Sequence, residues 1–257
     1  MTFNHKKSLG QNFLKDNNII NKISSSITPE KDDLIIEIGP GSGALTKKII
    51  NNECDVICFE IDKRLKEYLD KIESNNLTII YDDFLDIDLK NYILPKYKRI
   101  FFIGNLPYYI TTAIINKIIH ESNPYEIIIM IQKEVALRFM AKPNTKEYSS
   151  ISVFLQYNFD ISKVCDVSKN CFDPIPKVDS MVIKLKRKSN INKAKDEDKL
   201  YKLIRDSFKY KRKNLRNNLK DYDLDKIERI LKTSNKDLSF RAEQLTISEF
   251  INISNEL

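Results

Sequence analysis

Short apolar runs rich in β-branched residues recur along the first half of the chain: Leu34–Ile38, Val56–Glu60, Leu77–Tyr81, Ile100–Ile103 and Ile127–Ile131. Between them lie segments of helical spacing such as Leu45–Ile50 and Leu65–Ile72, so the order predicts a βαβ series. The runs are apolar at nearly every position instead of alternating with polar residues. That is the pattern of a parallel sheet covered on both faces, and a doubly wound α/β domain follows. Beyond it, Asp160–Val167, a Pro-containing loop over Cys171–Ser180 and the run Met181–Leu185 predict two antiparallel strands that close the sheet. From about Lys195 only helical signals remain: Leu200, Leu203, Ile204 and Phe208 repeat at helical spacing, and Thr246-Ile247-Ser248-Glu249 is a capping box opening the last helix. A boundary near Lys188–Asn192 is expected, separating residues 1–188 from a small all-α domain over 189–257.

Charge adds a partner to this picture. The net charge is +7, yet fourteen Lys/Arg against four Asp/Glu fall between Lys186 and Lys220, a local balance of +10. Such asymmetry points to a polyanion, against the plainer reading of a solvated helix face in a Lys-rich chain. Lys211, Arg212, Lys213 and Arg216 are the candidate contacts. No metal is expected, because the four cysteines show no CxxC spacing and only His5 and His120 accompany them. No apolar run approaches the roughly 20 residues of a membrane span, and the polar start, Met1 to Lys15, has no signal-type apolar core. A soluble cytoplasmic monomer is expected, or an organellar one after removal of a targeting segment.

The chemistry concentrates where the five glycines fall. Gly39, Gly41 and Gly43 follow the first strand, Gly10 precedes Gln11-Asn12-Phe13-Leu14, and Gly104 precedes Asn105-Leu106-Pro107-Tyr108. In open α/β sheets ligands bind beyond the carboxyl ends of the strands, and these motifs decorate such ends. The glycine loop suits close approach of a nucleotide-like ligand. Glu60, at the end of the second strand, stands where a carboxylate accepts from ribose hydroxyls, and Asp83 follows the third strand, within reach of an adenine amino group. Taken alone, the loop fits NAD and S-adenosylmethionine equally, while the absence of GK[ST] excludes a P-loop. Glu37, two residues before Gly39, favours the zwitterionic sulfonium cofactor.

Asn105-Leu106-Pro107-Tyr108 decides between them. Hydride transfer has no use for this tetrapeptide, whereas methylation of an aromatic amine does. The adenine N6 lone pair is delocalised into the ring, so an enzyme must orient it and strengthen it. The Asn105 side-chain oxygen and the Leu106 carbonyl, held outward by Pro107, can accept from the NH2 group, with Tyr108 stacked on the base. An adenine in structured RNA must also leave its stack, and the basic segment could hold the backbone meanwhile.

Together, Lys7-Ser-Leu-Gly-Gln-Asn-Phe-Leu14, Glu37-Ile-Gly-Pro-Gly-Ser-Gly43, Asn105-Leu-Pro-Tyr108, Phe172-Asp-Pro-Ile-Pro-Lys-Val-Asp-Ser180 and Arg212-Lys-Asn-Leu-Arg-Asn-Asn-Leu219 resemble the ribosomal RNA adenine N6,N6-dimethyltransferases, in order and over nearly the whole chain. The resemblance implies a Rossmann-like class I methyltransferase, with a seven-stranded, mostly parallel sheet, an antiparallel last strand and a small helical C-terminal domain. It implies S-adenosylmethionine as cofactor and dimethylation of two adjacent adenosines near the 3′ end of small-subunit rRNA, late in subunit assembly. Asn12 and Leu14 would close over the cofactor, Gly39, Gly41, Glu60, Asp83 and Asn105 would bind or frame it, and Tyr108 and Phe172 would sandwich the target base. The large-subunit resistance methylases share the cofactor motifs, but Leu106, Pro176–Ser180 and the Arg212–Leu219 segment favour the small-subunit enzymes. Some relatives act by binding instead of catalysis; the intact motifs argue for activity. One departure is Asp82 before Asp83, where the family often has an uncharged residue.

Overall fold

The computed structural model describes residues 11–107, 109–189 and 192–257. They form two compact units. One takes the chain up to Ala136 together with Ser162–Arg187; the other takes Leu137–Ile161 with Lys188–Leu257.

The first unit is built on a seven-stranded sheet and a two-stranded one. Its strands are β1 (Phe13–Leu14), β2 (Leu34–Ile38), β3 (Asp55–Phe59), β4 (Leu77–Ile80), β5 (Ile100–Asn105), β6 (Glu126–Gln132), β7 (Phe159–Val167), β8 (Phe172–Asp173) and β9 (Ser180–Arg187), with β7 starting in the second unit. The order across the large sheet is β4-β3-β2-β5-β6-β9-β7. Strands β2 to β6 pair in parallel, and β9 joins β6 antiparallel, with Ile131 opposite Met181. The fold is therefore a Rossmann-like, mostly parallel sheet with an antiparallel strand inserted near one edge.

Every residue of β2 is buried, as a strand covered on both faces requires. Alternate residues face opposite ways. Ile35, Val56, Cys58, Phe101, Ile103, Ile128 and Val182 share one core with Ile19 and Ile23 of α1 (Asn17–Ser24). On residues of the other parity, Phe59 and Phe102 meet Phe84 edge-on, with ring centroids 5.6 and 6.5 Å away. The short helices α2 (Thr46–Ile49) and α3 (Lys66–Leu69) and the longer α4 (Thr111–Glu121) connect the parallel strands, and α5 (Lys133–Phe139) follows β6.

The second unit holds α6 (Ser150–Asn158), α7 (Glu197–Ser207), α8 (Leu215–Asn218), α9 (Leu224–Lys232) and α10 (Ile247–Glu256). Leu200, Leu203 and Ile204 are buried at the expected helical spacing, in a core shared with Tyr157, Leu215, Leu231 and Phe250. This unit corrects the expected division, which assigned everything before residue 189 to the sheet domain. The hydroxyl of Tyr157 on α6 accepts from the Ala194 N–H at 3.1 Å and donates to Glu197 at 3.0 Å, and the Asn144 N–H donates to the Glu243 carbonyl at 2.8 Å. Periodicity along α6 identifies an apolar face but not the core that face joins.

Candidate active site

The chain runs β2, β3, β4 toward one edge of the sheet and then returns to place β5 and β6 on the other side of β2. The carboxyl ends of β2 and β5 therefore lie together at a topological switch point, where open α/β sheets bind ligands. Ile38 pairs with Gly104 there. A Cβ at 104 would run into the Ile38 carbonyl, so only glycine lets the two strands meet in this register.

The glycine loop turns directly after β2. Gly41 has φ +59°, and a Cβ on it would sit 3.0 Å from the Phe13 ring. The missing side chain thus makes room for the N-terminal segment. That segment is held by β1 pairing with β8, by the Lys15 N–H donating to the Cys171 carbonyl at 2.9 Å, and by Asp16, whose carboxylate caps α1 through the Asn18 N–H at 2.8 Å. Gln11 reaches across to donate to Asp62 at 2.7 Å, binding the segment to the loop after β3.

Beneath lies a cavity of about 210 Å³, lined by Asn12 and Leu14, by Gly39 and Gly41, and by Asn105, Leu106 and Pro107. Four carboxylates, Glu37, Glu60, Asp82 and Asp83, also line it, and among the described lining residues there is no Lys, Arg or His. Glu60 is buried, and its carboxylate accepts from the Gly41 N–H at 3.0 Å and from the Asp62 N–H at 2.8 Å. Burial raises its pKa, while the backbone donors of Asp62, Gly41 and Ile61 oppose the rise. Glu37 is 2% exposed; it accepts from Thr46 Oγ1 at 2.6 Å and from Cys58 Sγ at 3.4 Å, and burial pushes its pKa up to about 7. Asp62, hydrogen-bonded by Arg64, is held down at about 2. One oxygen of Asp83 accepts from the Leu85 N–H, and Asp82 accepts from the Asp83 N–H, both at 2.9 Å.

Asn105 ends β5, and its Nδ2 donates to the Asn12 carbonyl at 2.9 Å. With the amide nitrogen committed, Oδ1 is the atom left to accept from a ligand. The Leu106 N–H donates to the Met130 carbonyl at 3.2 Å, and Thr111 Oγ1 donates to the Pro107 carbonyl at 3.0 Å, so the tetrapeptide's backbone is pinned to β6 and to α4. Tyr108, like Lys7–Gly10, lies outside the described residues.

Phe172 requires a correction. It is 0% exposed in the sheet core, paired through β8 with Leu14, and presents no ring face to a base. The ring belongs to the apolar cluster of Ile19, Ile23 and Val167, against which Leu14 packs, and the motif spacing does not show that burial.

Three contributors escaped the sequence reading. Phe13 seats on Gly41, and Ile61, 46% exposed beside Glu60, adds apolar wall. Tyr109 lines the same cavity with 63% of its surface exposed. An apolar residue straight after a strand-terminal acid, and a second tyrosine after Tyr108, were the available signals.

In the second unit, Lys211, Arg212, Lys213 and Arg216 are all exposed. Lys211 Nζ donates to the Lys146 carbonyl at 3.0 Å, and Arg216 pairs with Glu228 at 3.3 Å.

Comparison with known proteins agrees with this geometry. A family model described as ribosomal RNA adenine dimethylase matches residues 2–257. Ribosomal RNA small subunit methyltransferase A of Aster yellows witches'-broom phytoplasma is 44% identical over 97% of this chain and 95% of its own length. Among solved structures, a dimethyladenosine transferase from Plasmodium falciparum superposes with a TM-score of 0.78 at 26% identity, covering 93% of this chain and 95% of that one. The 23S rRNA methyltransferase ErmE shares the fold, with a TM-score of 0.74 at 24% identity over 96% of this chain and 99% of its own. With its glycine loop and its Asn-Leu-Pro strand end meeting at one switch point, and a family match running from residue 2 to residue 257, the chain belongs to the ribosomal RNA adenine dimethylases.

Proposed function

We propose that this protein binds S-adenosylmethionine in the cavity at the β2–β5 switch point and dimethylates N6 of two adjacent adenosines near the 3′ end of small-subunit rRNA, during subunit assembly. The observation that carries the reading is a cavity with four carboxylates and, among the described residues, no basic lining residue, at whose edge Asn105 keeps an acceptor oxygen. Such a lining repels the pyrophosphate of a dinucleotide and suits a ligand with a sulfonium and an ammonium group.

The residues fit that ligand. Glu60 uses two backbone donors and, as a carboxylate with about four acceptor positions, retains capacity for ribose hydroxyls. Asp83 has a second oxygen for an exocyclic amine, and Ile61 offers an apolar surface to a purine ring. Leu14 of β1 and Asn12 just before that strand line the cavity, on a segment that Gln11 ties to Asp62.

When bound, the cofactor supplies an activated methyl group, so the protein needs no strong base. Asn105 Oδ1 and the Leu106 carbonyl accept from the adenine NH2, directing the lone pair and favouring a more tetrahedral nitrogen. At each of the two transfers the N6–carbon bond would form as the methyl carbon–sulfur bond breaks, the pair staying on sulfur as a neutral thioether, and one N6 proton would pass to water. The basic residues of the second unit hold phosphates while the base is extracted from its stack.

A relative 44% identical is named for the small subunit, which favours that substrate over large-subunit rRNA. The test is methyl transfer from isotopically labelled S-adenosylmethionine to unmethylated small and large subunits supplied separately, followed by nucleoside analysis. N6,N6-dimethyladenosine from the small subunit alone is expected. Label only in the large subunit would overturn the substrate assignment, and none in either would leave a binding factor.

A further inference from the structure

We propose that the turn Tyr210–Lys213 is a preformed clamp for unpaired RNA, in which the Tyr210 ring stacks on an exposed nucleobase while neighbouring cations hold the flanking phosphates. The inference rests on the RNA-binding reading of the basic segment and adds to it a residue and a substrate class, single-stranded RNA.

The Lys213 N–H donates to the Tyr210 carbonyl at 2.9 Å, closing a four-residue turn with Lys211 and Arg212 at its corners. Asn218, 9% exposed, braces the turn from beneath. Its Nδ2 donates to the Ser207 carbonyl at 2.7 Å and to the Tyr210 carbonyl at 3.2 Å, and its Oδ1 accepts from the Tyr210 N–H at 3.1 Å. Asn218 is itself fixed, because it lies on α8 between Leu215 and Leu219, which are 0% and 1% exposed. One buried carboxamide thus sets the backbone of the loop before any ligand arrives, and ordering a loop beforehand lowers the entropy lost on binding.

On this brace Tyr210 is 57% exposed, among Lys209, Lys211, Arg212 and Lys213. The Lys209 ammonium stands 5.7 Å from its ring centroid. A large aromatic ring held in water by a rigid turn, with cations on either side along the chain, matches the chemistry of single-stranded nucleic-acid sites, where bases stack on aromatics and cations track the backbone. A duplex offers no free base face to such a ring.

The experiment measures affinities of the full-length protein for a single-stranded oligoadenylate and for an RNA duplex of equal length, across a salt series. Tyr210→Ala is expected to weaken oligoadenylate binding on the order of tenfold without changing the salt slope, and to leave duplex binding unchanged. Tyr210→Phe should bind as the parent does, since stacking needs the ring and not the hydroxyl. Equal affinity of Tyr210→Ala and parent for oligoadenylate would overturn the proposal. An equal loss on both RNAs would do so too, since the ring would then shape the turn instead of stacking. Neutralising Lys211, Arg212, Lys213 and Arg216 together separates the two readings: an unchanged salt slope there removes the RNA interface itself, whereas a flattened slope with an inert Tyr210 removes only the stacking.

Discussion

At the residue scale, the proposed function turns on groups that use one polar atom for the fold and leave another for a ligand. Asn105 commits Nδ2 to the Asn12 carbonyl, which leaves Oδ1 as the proposed acceptor for the amine. Asn105→Ala is therefore expected to lower methyl transfer on the order of a hundredfold or more while rRNA binding persists, checked by single-turnover transfer and by filter binding; wild-type turnover would remove Asn105 from the proposed role. Glu37 carries a pH dependence. Its folded pKa of about 7 lies above an unfolded value near 4.5. Below both values the group is protonated in either state and costs nothing. As pH rises between them, the unfolded chain releases the proton and the folded chain retains it, so stability falls with rising pH, by about 3 kcal/mol in all from this group. Glu37→Gln keeps an acceptor for Thr46 without the titration. Urea unfolding at pH 5 and pH 8 should show the variant gaining on the parent at the higher pH, and a constant difference would exclude this origin. The motif residues were legible at this scale, because glycine and Asn-Leu-Pro are demanded by local chemistry. Phe172 was not, since the spacing Phe172-Asp-Pro-Ile-Pro is the same whether the ring is buried in the core or open to a base.

At the element scale, local signals and tertiary outcome agree where an element is decided by its own residues. The capping box at Thr246 is present, with the Thr246 N–H donating to Glu249 at 2.7 Å and Thr246 Oγ1 accepting from the Glu249 N–H at 3.3 Å. Thr246→Ala should destabilise the helical unit by about 1 kcal/mol and leave cofactor affinity unchanged, as thermal unfolding and calorimetric titration would record. The sheet strands were readable for a similar reason: runs apolar on both faces have only one place to go. Strands β1 and β8 were not readable. Two residues each, with no periodicity, they exist because Leu14 and Phe172 pair across a long interval of sequence.

At the scale of the whole molecule, the charge imbalance resolves into a feature of one unit. Neutralising Lys211, Arg212, Lys213 and Arg216 should weaken rRNA binding and flatten its dependence on salt, by a slope of about 0.7 to 0.9 for each lost phosphate contact, without altering cofactor affinity. Fluorescence anisotropy over a salt series checks this, and an unaltered slope would return the segment to a solvated surface. The amino-acid sequence by itself determined the strand series, the helical end of the chain, the three motifs and the chemistry they suit, because each rests on short-range periodicity or on a residue type that no other can replace. Only the tertiary structure decided which core receives Leu137–Ile161, that the Phe172 ring is shut inside the sheet unit, that four carboxylates line one cavity with no cation among its described lining residues, and that Asn218 braces the basic turn. Each of these depends on residues far apart in the chain meeting in space, and such meetings are set by which apolar faces are buried together, which no local pattern records.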